Sequence, residues 1–335
     1  MKTSRHTIRR LSLRGALFLW VLTMSSGAFS QDSRGTLSII FENDIFQNTD
    51  RHYTNGVGVI WMPEQKEQPE WVYSLIDLVP WMPKQGQMRH GYMFGQNMYT
   101  PRDIRLTDPP LNERPYAGWL YGTLGVGMET DRELDVLTLT LGVVGPASLA
   151  EETQKLVHEL TGSDEPMGWE TQLGNELGVV ATYQHSWRQA ATSTLMGFEA
   201  DLTPHVGGAL GNVYTYANAG LTVRWGRRLP NDYGPPRIQP SAPGSGIFTP
   251  GDRFGWYLFA GVEGRAVARN IFLDGNTFSD SRSVEKEVLV GDVQLGAVMS
   301  WKTMRLAYTH VMRSREYSEQ TQNDGFGAMT WSMMF

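Results

Sequence analysis

In the segment GPASLAEETQKLVHELTGSDEPMGW (145–169), Gln154 and His158 lie four residues apart and Glu151 precedes Gln154 by three. On a 3.6-residue period that spacing stacks Glu151, Gln154 and His158 on one helix face, with Leu156 and Leu160 on a neighbouring apolar face. Histidine titrates near neutrality, and an adjacent amide or carboxylate can hold its tautomer, so the constellation suits a general base. It also suits a solvated histidine on a loop helix. Pro146 and Ser148 mark the helix start, Glu151 and Glu152 complement the dipole of the first turn, and Gly162 marks the end.

A second group lies near the N-terminus. Phe41-Glu42-Asn43-Asp44 ends one strand-like run and Tyr53-Thr54-Asn55-Gly56 begins the next, so one short hairpin gathers Asn43, Asp44 and Thr54. Their oxygens are hard donors of the kind that calcium takes six to eight of. Asn and Asp also cap hairpins routinely, so an Asx-rich turn is the competing reading. By parity Asn43 shares a face with Leu37, Ile39 and Phe41, and Asp44 with Ser38 and Glu42. If the apolar set meets lipid, Asn43 points out of the wall where acyl chains begin.

Positioning these groups requires strands. Alternation and turn signals predict twelve, at 35–43, 54–62, 90–99, 116–128, 133–144, 175–188, 193–204, 213–226, 254–266, 286–300, 302–312 and 325–335. In the fifth, Leu137, Leu139, Leu141 and Val143 alternate with Val136, Thr138, Thr140 and Gly142. The last alternates up to the aromatic Phe335, as outer-membrane barrel strands do. The expectation is an all-β chain forming a single transmembrane antiparallel barrel, with a short helix in an extracellular loop. Long connections (44–53, 100–115, 145–174, 205–212, 267–285, 313–324) fall outside the cell. Tight links near 129–132, 189–192 and 301 fall in the periplasm. Two periplasmic connections are longer: 63–89, with an apolar, helix-like stretch from Trp71 to Val79, and 227–253, with a Pro/Gly-rich run from Asn231 to Gly251.

Residues 1–30 carry five basic residues, an apolar stretch from Gly15 to Met24 and a small-residue end at Ala28-Phe29-Ser30. This is the form of a secretory signal peptide cleaved after about Ser30, which leaves 31–335 as the barrel domain. The apolar stretch is too short to span a bilayer, and no later segment offers a spanning helix. Without cysteine there is neither a disulfide nor a thiolate metal site. Removing the leader leaves 24 basic against 35 acidic residues. That balance argues against a nucleic-acid partner, which needs clustered Lys and Arg, and suits equally a surface that works with divalent cations and a soluble exported protein kept apart by charge.

Several motifs in order carry a family resemblance: Glu42-Asn43-Asp44, Tyr53-Thr54-Asn55-Gly56, Glu113-Arg114-Pro115-Tyr116-Ala117-Gly118-Trp119, Gly145-Pro146, Gln154 with His158, Gly168-Trp169, and Gln172-Leu173-Gly174-Asn175-Glu176. Over about 36–188, and more loosely to the C-terminus, the chain resembles the outer-membrane lipid A 3′-O-deacylase family. The resemblance implies a twelve-stranded barrel that hydrolyses the 3′ acyloxyacyl ester of lipid A with calcium, at the extracellular side between the wall and a loop helix. It implies that His158 is the base, with Gln154 beside it, and that Asn43, Asp44 and Thr54 form the facing half of the site. Asn43 and Asp44 are the expected calcium ligands.

On that reading His158 takes a proton from a water attacking the ester, and calcium near Asn43 and Asp44 stabilises the oxyanion. No serine is needed: there is no G-x-S-x-G elbow, and Ser148 serves the helix start. Two features depart from the pattern. The first hairpin loop, Ile45 to Tyr53, is shorter than in the family's best-known member. That member's strand-three lysine has no counterpart: Lys84 precedes the strand, and Arg102 is the nearest cation at the right end. Arg102 and Arg114 are the candidates for a lipid A phosphate, although Arg114 ahead of Pro-Tyr equally suits an interfacial anchor. The expected partners are lipopolysaccharide of the outer leaflet and, during insertion, the barrel-assembly machinery. The alternatives are an outer-membrane phospholipase and a non-enzymatic pore or adhesin.

Overall fold

The structure is a computed structural model describing residues 35–43, 52–64, 68–77, 79–234 and 253–335. The expected signal peptide, Asp44 and residues 235–251 of the Pro/Gly-rich run lie outside the described residues, and Thr54 is described by its backbone alone.

Alternating sequence becomes antiparallel ladder throughout. The segments are β1 (Thr36–Asn43), β2 (His52–Met62), β3 (Gln87–Thr100), β4 (Ala117–Thr130), β5 (Glu133–Val144), β6 (Glu176–Trp187), β7 (Ala191–Leu195), β8 (Phe198–Gly211), β9 (Tyr214–Arg227), β10 (Gly255–Asn270), β11 (Leu289–Trp301), β12 (Met304–Arg313) and β13 (Asp324–Met334). Neighbours in sequence pair, β1 pairs with β13 from Thr36↔Met334 to Asn43↔Gly327, and β6 pairs with β8, so the sheet closes on itself. The short β7 takes over from β6 along β8, so thirteen segments fill twelve positions of a closed barrel. Closure leaves no unpaired edge, the condition for crossing lipid with strands. Among the described residues three α-helices occupy connections: α1 (Glu70–Asp77), α2 (Ala150–Thr161) and α3 (Ile271–Asp274). No described helix is long and apolar enough to cross a membrane.

The period of two separates two chemistries. Phe41, Val57, Val59, Phe94, Leu139 and Leu141 are exposed on the outer face, whereas Ser38, Glu42, Asn97, Asp201, Arg224, Glu263 and Arg265 are buried within. Interior charges are paired, because an isolated ion buried there costs several kcal/mol or more. Arg224 bridges Asp201 and Asp232, and Arg305 also holds Asp232. Arg265 joins Glu263 to Asp292, Arg313 also binds Asp292, and His205 Nε2 lies 3.1 Å from Glu263.

At the end holding α2 and α3, Ile271, Phe272 and Leu273 of α3 are buried, and Phe272 stacks on Tyr99 at 4.0 Å. The Tyr99 hydroxyl meets that of Tyr214 at 2.7 Å. Side chains thus fill the mouth at this end.

Two sequence expectations move. The reversal placed at 189–192 occurs at Met196-Gly197, both with positive φ, and the loop placed at 205–212 lies almost wholly inside β8. Gly207, Gly208 and Gly211, which imitate a turn, serve close packing instead: a Cβ on Gly207 would come 2.6 Å from the Tyr183 carbonyl oxygen of β6. Only Asn212 and Val213 link β8 to β9.

Arg114, offered to a lipid phosphate, is buried in the barrel mouth, where its Nη2 binds Glu316 Oε2 at 2.8 Å and its guanidinium lies over the Tyr99 ring. Its charge is used by a carboxylate of the β12–β13 connection. Burial works to raise the Glu316 pKa, but Arg114 and Arg313 outweigh it and hold the carboxyl below its ordinary value. A depressed folded-state pKa stabilises the fold at neutral pH, and that contribution disappears as pH falls through the depressed value. Glu316→Ala leaves Arg114 buried without this partner and is expected to cost about 3–5 kcal/mol, read as a lower denaturant midpoint at pH 7. The gap between variant and parent is expected to narrow as pH drops below the ordinary carboxylate range.

Candidate functional site

The β5–β6 connection folds back onto the outer wall. Pro146–Ser148 form one 3-10 turn, Leu149 takes the left-handed conformation (φ 59°, ψ 24°), and α2 follows, ending at Gly162 with its N–H on the His158 carbonyl. The turn is held from below: Gln96 of β3 donates from Nε2 to the Ser148 carbonyl at 2.7 Å. A side chain on Gly118 of β4 would collide with Ser148 Oγ and Ala150 Cβ. In β3 and β4 the residues that alternate with lumen-facing Asn97 and Trp119 are Gln96, Met98, Gly118 and Leu120, and the register Met98↔Gly118 puts them on the outer face. Therefore α2 lies outside the barrel, on the lipid side, over a small apolar cluster of Met98, Ile104, Tyr116, Ala150 and Trp169.

The helix is turned opposite to a soluble amphipathic helix. Its buried residues are Ala150, Gln154 and His158, whereas Leu156, Val157 and Leu160 are exposed. An apolar outer face and a polar face pressed on the wall suit a helix bathed in lipid.

Both polar side chains of the buried face are oriented by a defined partner. His158 Nδ1 is 2.5 Å from the Asp164 carbonyl oxygen, which can only accept, so Nδ1 carries the proton and the neutral ring has its basic lone pair on Nε2. Trp169 Nε1 donates to Gln154 Oε1 at 2.8 Å, which orients the amide. Gln154 Nε2 and Ser148 Oγ are buried without a hydrogen-bond partner. The site therefore holds one imidazole with its tautomer set and one oriented amide, side by side on the same turns of α2.

Of the hairpin group, Asn43 shares the rim and the face. The register Asn43↔Asn55, Asn55↔Met98 and Met98↔Gly118 makes a single outward row across β1, β2, β3 and β4, with α2 lying over its far half. Asn43 and Met98 are two strand spacings apart, about 10 Å. The ladder between β2 and β3 slips at Thr54, which sits as the extra residue between Tyr53 and Asn55. Asp44 follows Asn43 directly but lies outside the described residues. Among the described residues no group of three or more His, Asp or Glu side chains is arranged to hold a metal.

Of the cations, Arg102 is exposed at this rim, where its guanidinium donates to Thr321 Oγ1. Lys84 is at the other end, donating to the Ile76 carbonyl and Asp77 at the C-terminus of α1. The outward positions of β3 beside α2 are Gln96 and Met98, neither cationic. Sequence reasoning gave no role to Gln96 or the Asp164 carbonyl, and Asn55 and Trp169 only a place in a motif. An isolated glutamine within the apolar outward set of β3 (Tyr92, Phe94, Gln96, Met98) was the available signal.

Gly118→Val is expected to lift the 146–150 turn from β4, so that amide exchange in Ala150–Thr161 accelerates while exchange in β4 and β5 is unchanged, as hydrogen-exchange mass spectrometry would show.

Comparison with known proteins adds the lineage. A family model described as outer membrane protein LpxR matches residues 17–335. The structure superposes on LpxR from Salmonella typhimurium with a TM-score of 0.74 at 19% identity, covering 90% of this chain and 100% of that one, a likeness of fold. The beta domain of the Bordetella autotransporter BrkA aligns with a TM-score of 0.45 at 12% identity, covering 91% and 100%. No curated sequence matches significantly.

Proposed function

The chain belongs to the LpxR family of outer membrane proteins, and from that premise we propose that it is a lipid A 3′-O-deacylase, hydrolysing the 3′ acyloxyacyl ester in the outer leaflet. The observation that carries the reading is the position of His158 and Gln154 on the wall-facing side of a helix that lies outside the barrel. A substrate that is itself a membrane lipid reaches such a site laterally, without leaving the leaflet.

His158, protonated on Nδ1 by its bond to the Asp164 carbonyl, receives on Nε2 the proton of a water that attacks the ester carbonyl carbon. Gln154, held through Oε1 by Trp169, turns its spare N–H to the carbonyl oxygen as negative charge develops there. Collapse breaks the bond to the sugar oxygen, which takes the proton from His158, and the acyl group leaves as a carboxylic acid. Leu156, Val157 and Leu160, exposed to acyl chains, keep bulk water off the site.

The hairpin supplies donors that fit a divalent cation. Asn43 and Asn55 stand opposite each other in the β1–β2 register on the outward row, and amide oxygens are hard donors of the kind that calcium accepts. Asn43 and Asp44 are the proposed ligands, with Thr54 beside them, and a bound calcium would supply Lewis-acid stabilisation of the developing charge. Arg102 is the proposed contact to a lipid A phosphate. Arg114, committed to Glu316, is not.

Purified protein incubated with lipid A and, separately, with phosphatidylethanolamine, each with calcium or chelator, tests this by mass spectrometry. Loss of the 3′ acyloxyacyl mass from lipid A, abolished by chelator, is expected. Deacylation of the phospholipid instead would make the enzyme a phospholipase, and loss from neither would make it a non-enzymatic barrel. His158→Ala is expected to lower the lipid A rate by about 10²–10⁴ with the barrel still folded. Full activity in that variant would remove His158 as the base.

A further inference from the structure

The second helix on the outer wall stands at the opposite rim. In α1, Val72 and Ile76, together with Met82 beyond its end, are buried against Val126 and Met128 of β4, with Met88, Leu137 and Tyr183 alongside. Val126 and Met128 alternate with Thr123, Gly125 and Gly127 and share the parity of Gly118, so they face outward. Both helices therefore lie on the lipid side of β4, one at each end.

Their separation is informative. Nine residues run from Gly118 to the midpoint of the Val126–Met128 pair. At about 3.4 Å per residue and a strand tilt of about 40°, that is about 23 Å along the membrane normal, close to the ~25 Å height of the apolar band of an outer-membrane barrel. With α2 at the outer leaflet, α1 falls at the headgroup level of the inner one.

The free side of this element is aromatic. Trp71, Tyr73 and Trp81 are 37%, 49% and 64% exposed, an unusual cost for the largest side chains of a segment facing water. They also continue the lipid-facing wall. Trp71 meets His90 edge-on at 5.4 Å, His90 meets Tyr92 at 5.7 Å, and Tyr92 stacks on Trp61 at 5.5 Å, while Trp81 meets Tyr183 edge-on at 5.9 Å. Tyr92 and Trp61 belong to the exposed outward set of β3 and β2. Lys84 closes the helix C-terminus, and with Asp77 forms an exposed polar end.

We infer that the segment Glu70–Lys84 is an interfacial anchor whose Trp71, Tyr73 and Trp81 insert among the phospholipid headgroups of the periplasmic leaflet. Amphipathic rings prefer that depth, having an apolar body and a polar tip. Its consequence is mechanical: a foot on the inner leaflet sets how far the wall rises through the bilayer, and hence the level of α2 in the outer one. The inference concerns the barrel's seating and stands whether or not the lipid A reading holds.

The absence of cysteine makes the test direct. Single variants Tyr73→Cys, Trp81→Cys and, at an exposed position of the β12–β13 connection, Glu319→Cys are labelled with an NBD fluorophore. They are reconstituted in phosphatidylethanolamine/phosphatidylglycerol vesicles, with heat-modifiable gel mobility as the check on folding. The expected result at 73 and 81 is blue-shifted emission, strong quenching by lipids with a shallow doxyl group, weaker quenching by deep ones and little by aqueous iodide. Glu319→Cys is expected to show the reverse preference. Iodide quenching at 73 and 81 as strong as at 319, without doxyl quenching, would overturn the inference and leave the aromatic face to water or to a periplasmic protein.

Discussion

The approach of the 146–150 turn to Gly118 is the contact on which the site depends. A β-strand offers its neighbours side chains, and a loop laid across it normally rests on their tips. By having no side chain at 118, β4 lets Ser148 and Ala150 descend onto the backbone, and Gln96 ties the turn down through the Ser148 carbonyl. Only then can the face of α2 carrying Gln154 and His158 press on the wall, where Trp169 and the Asp164 carbonyl orient them.

That arrangement inverts the usual order of polarity, and the solvent explains it. Around a barrel in lipid the apolar groups belong outside, so Leu156 and Leu160 cost nothing by being exposed and Gln154 and His158 gain by being covered. The same inversion governs the wall. Its outward set is aliphatic and aromatic, while its interior carries Arg224, Arg265, Arg305 and Arg313, each paired with a carboxylate. Such pairs add little net stability over a hydrophobic filling, but removing one partner is severe. The interior is therefore a rigid filler, and the oriented polar pair of α2 lies on the outer face.

Two helices on one strand give the wall a direction. At one end α2 covers Gly118 and meets the outward row that runs to Asn43, and at the other α1 covers Val126 and Met128. Both rest on β4 because its outward positions there, Gly118, Val126 and Met128, are small or apolar. The strands between them carry the continuous apolar band. The level of the site is thus coupled to the level of the foot by one stiff, hydrogen-bonded element.

The sequence by itself determined what depends on periodicity: the closed twelve-position barrel, the outward sets of β1, β5 and β13, the helix ending at Gly162, the apolar stretch that became α1, and the stacking of Gln154 with His158. Local pattern was enough there, because a strand or helix repeats its orientation every two or 3.6 residues. It misled where one residue type serves two purposes. Gly207, Gly208 and Gly211 imitate a turn yet permit strands to approach, and Arg114 stands in a rim motif yet pairs inward with Glu316. Only the tertiary structure decided which side of α2 meets the wall, that a carbonyl at 164 and an indole at 169 orient the pair, and that Asn43, Asn55, Met98 and Gly118 share one row. Those facts arise from the register of separate strands and from the lipid outside them, and neither is written within a single stretch of chain.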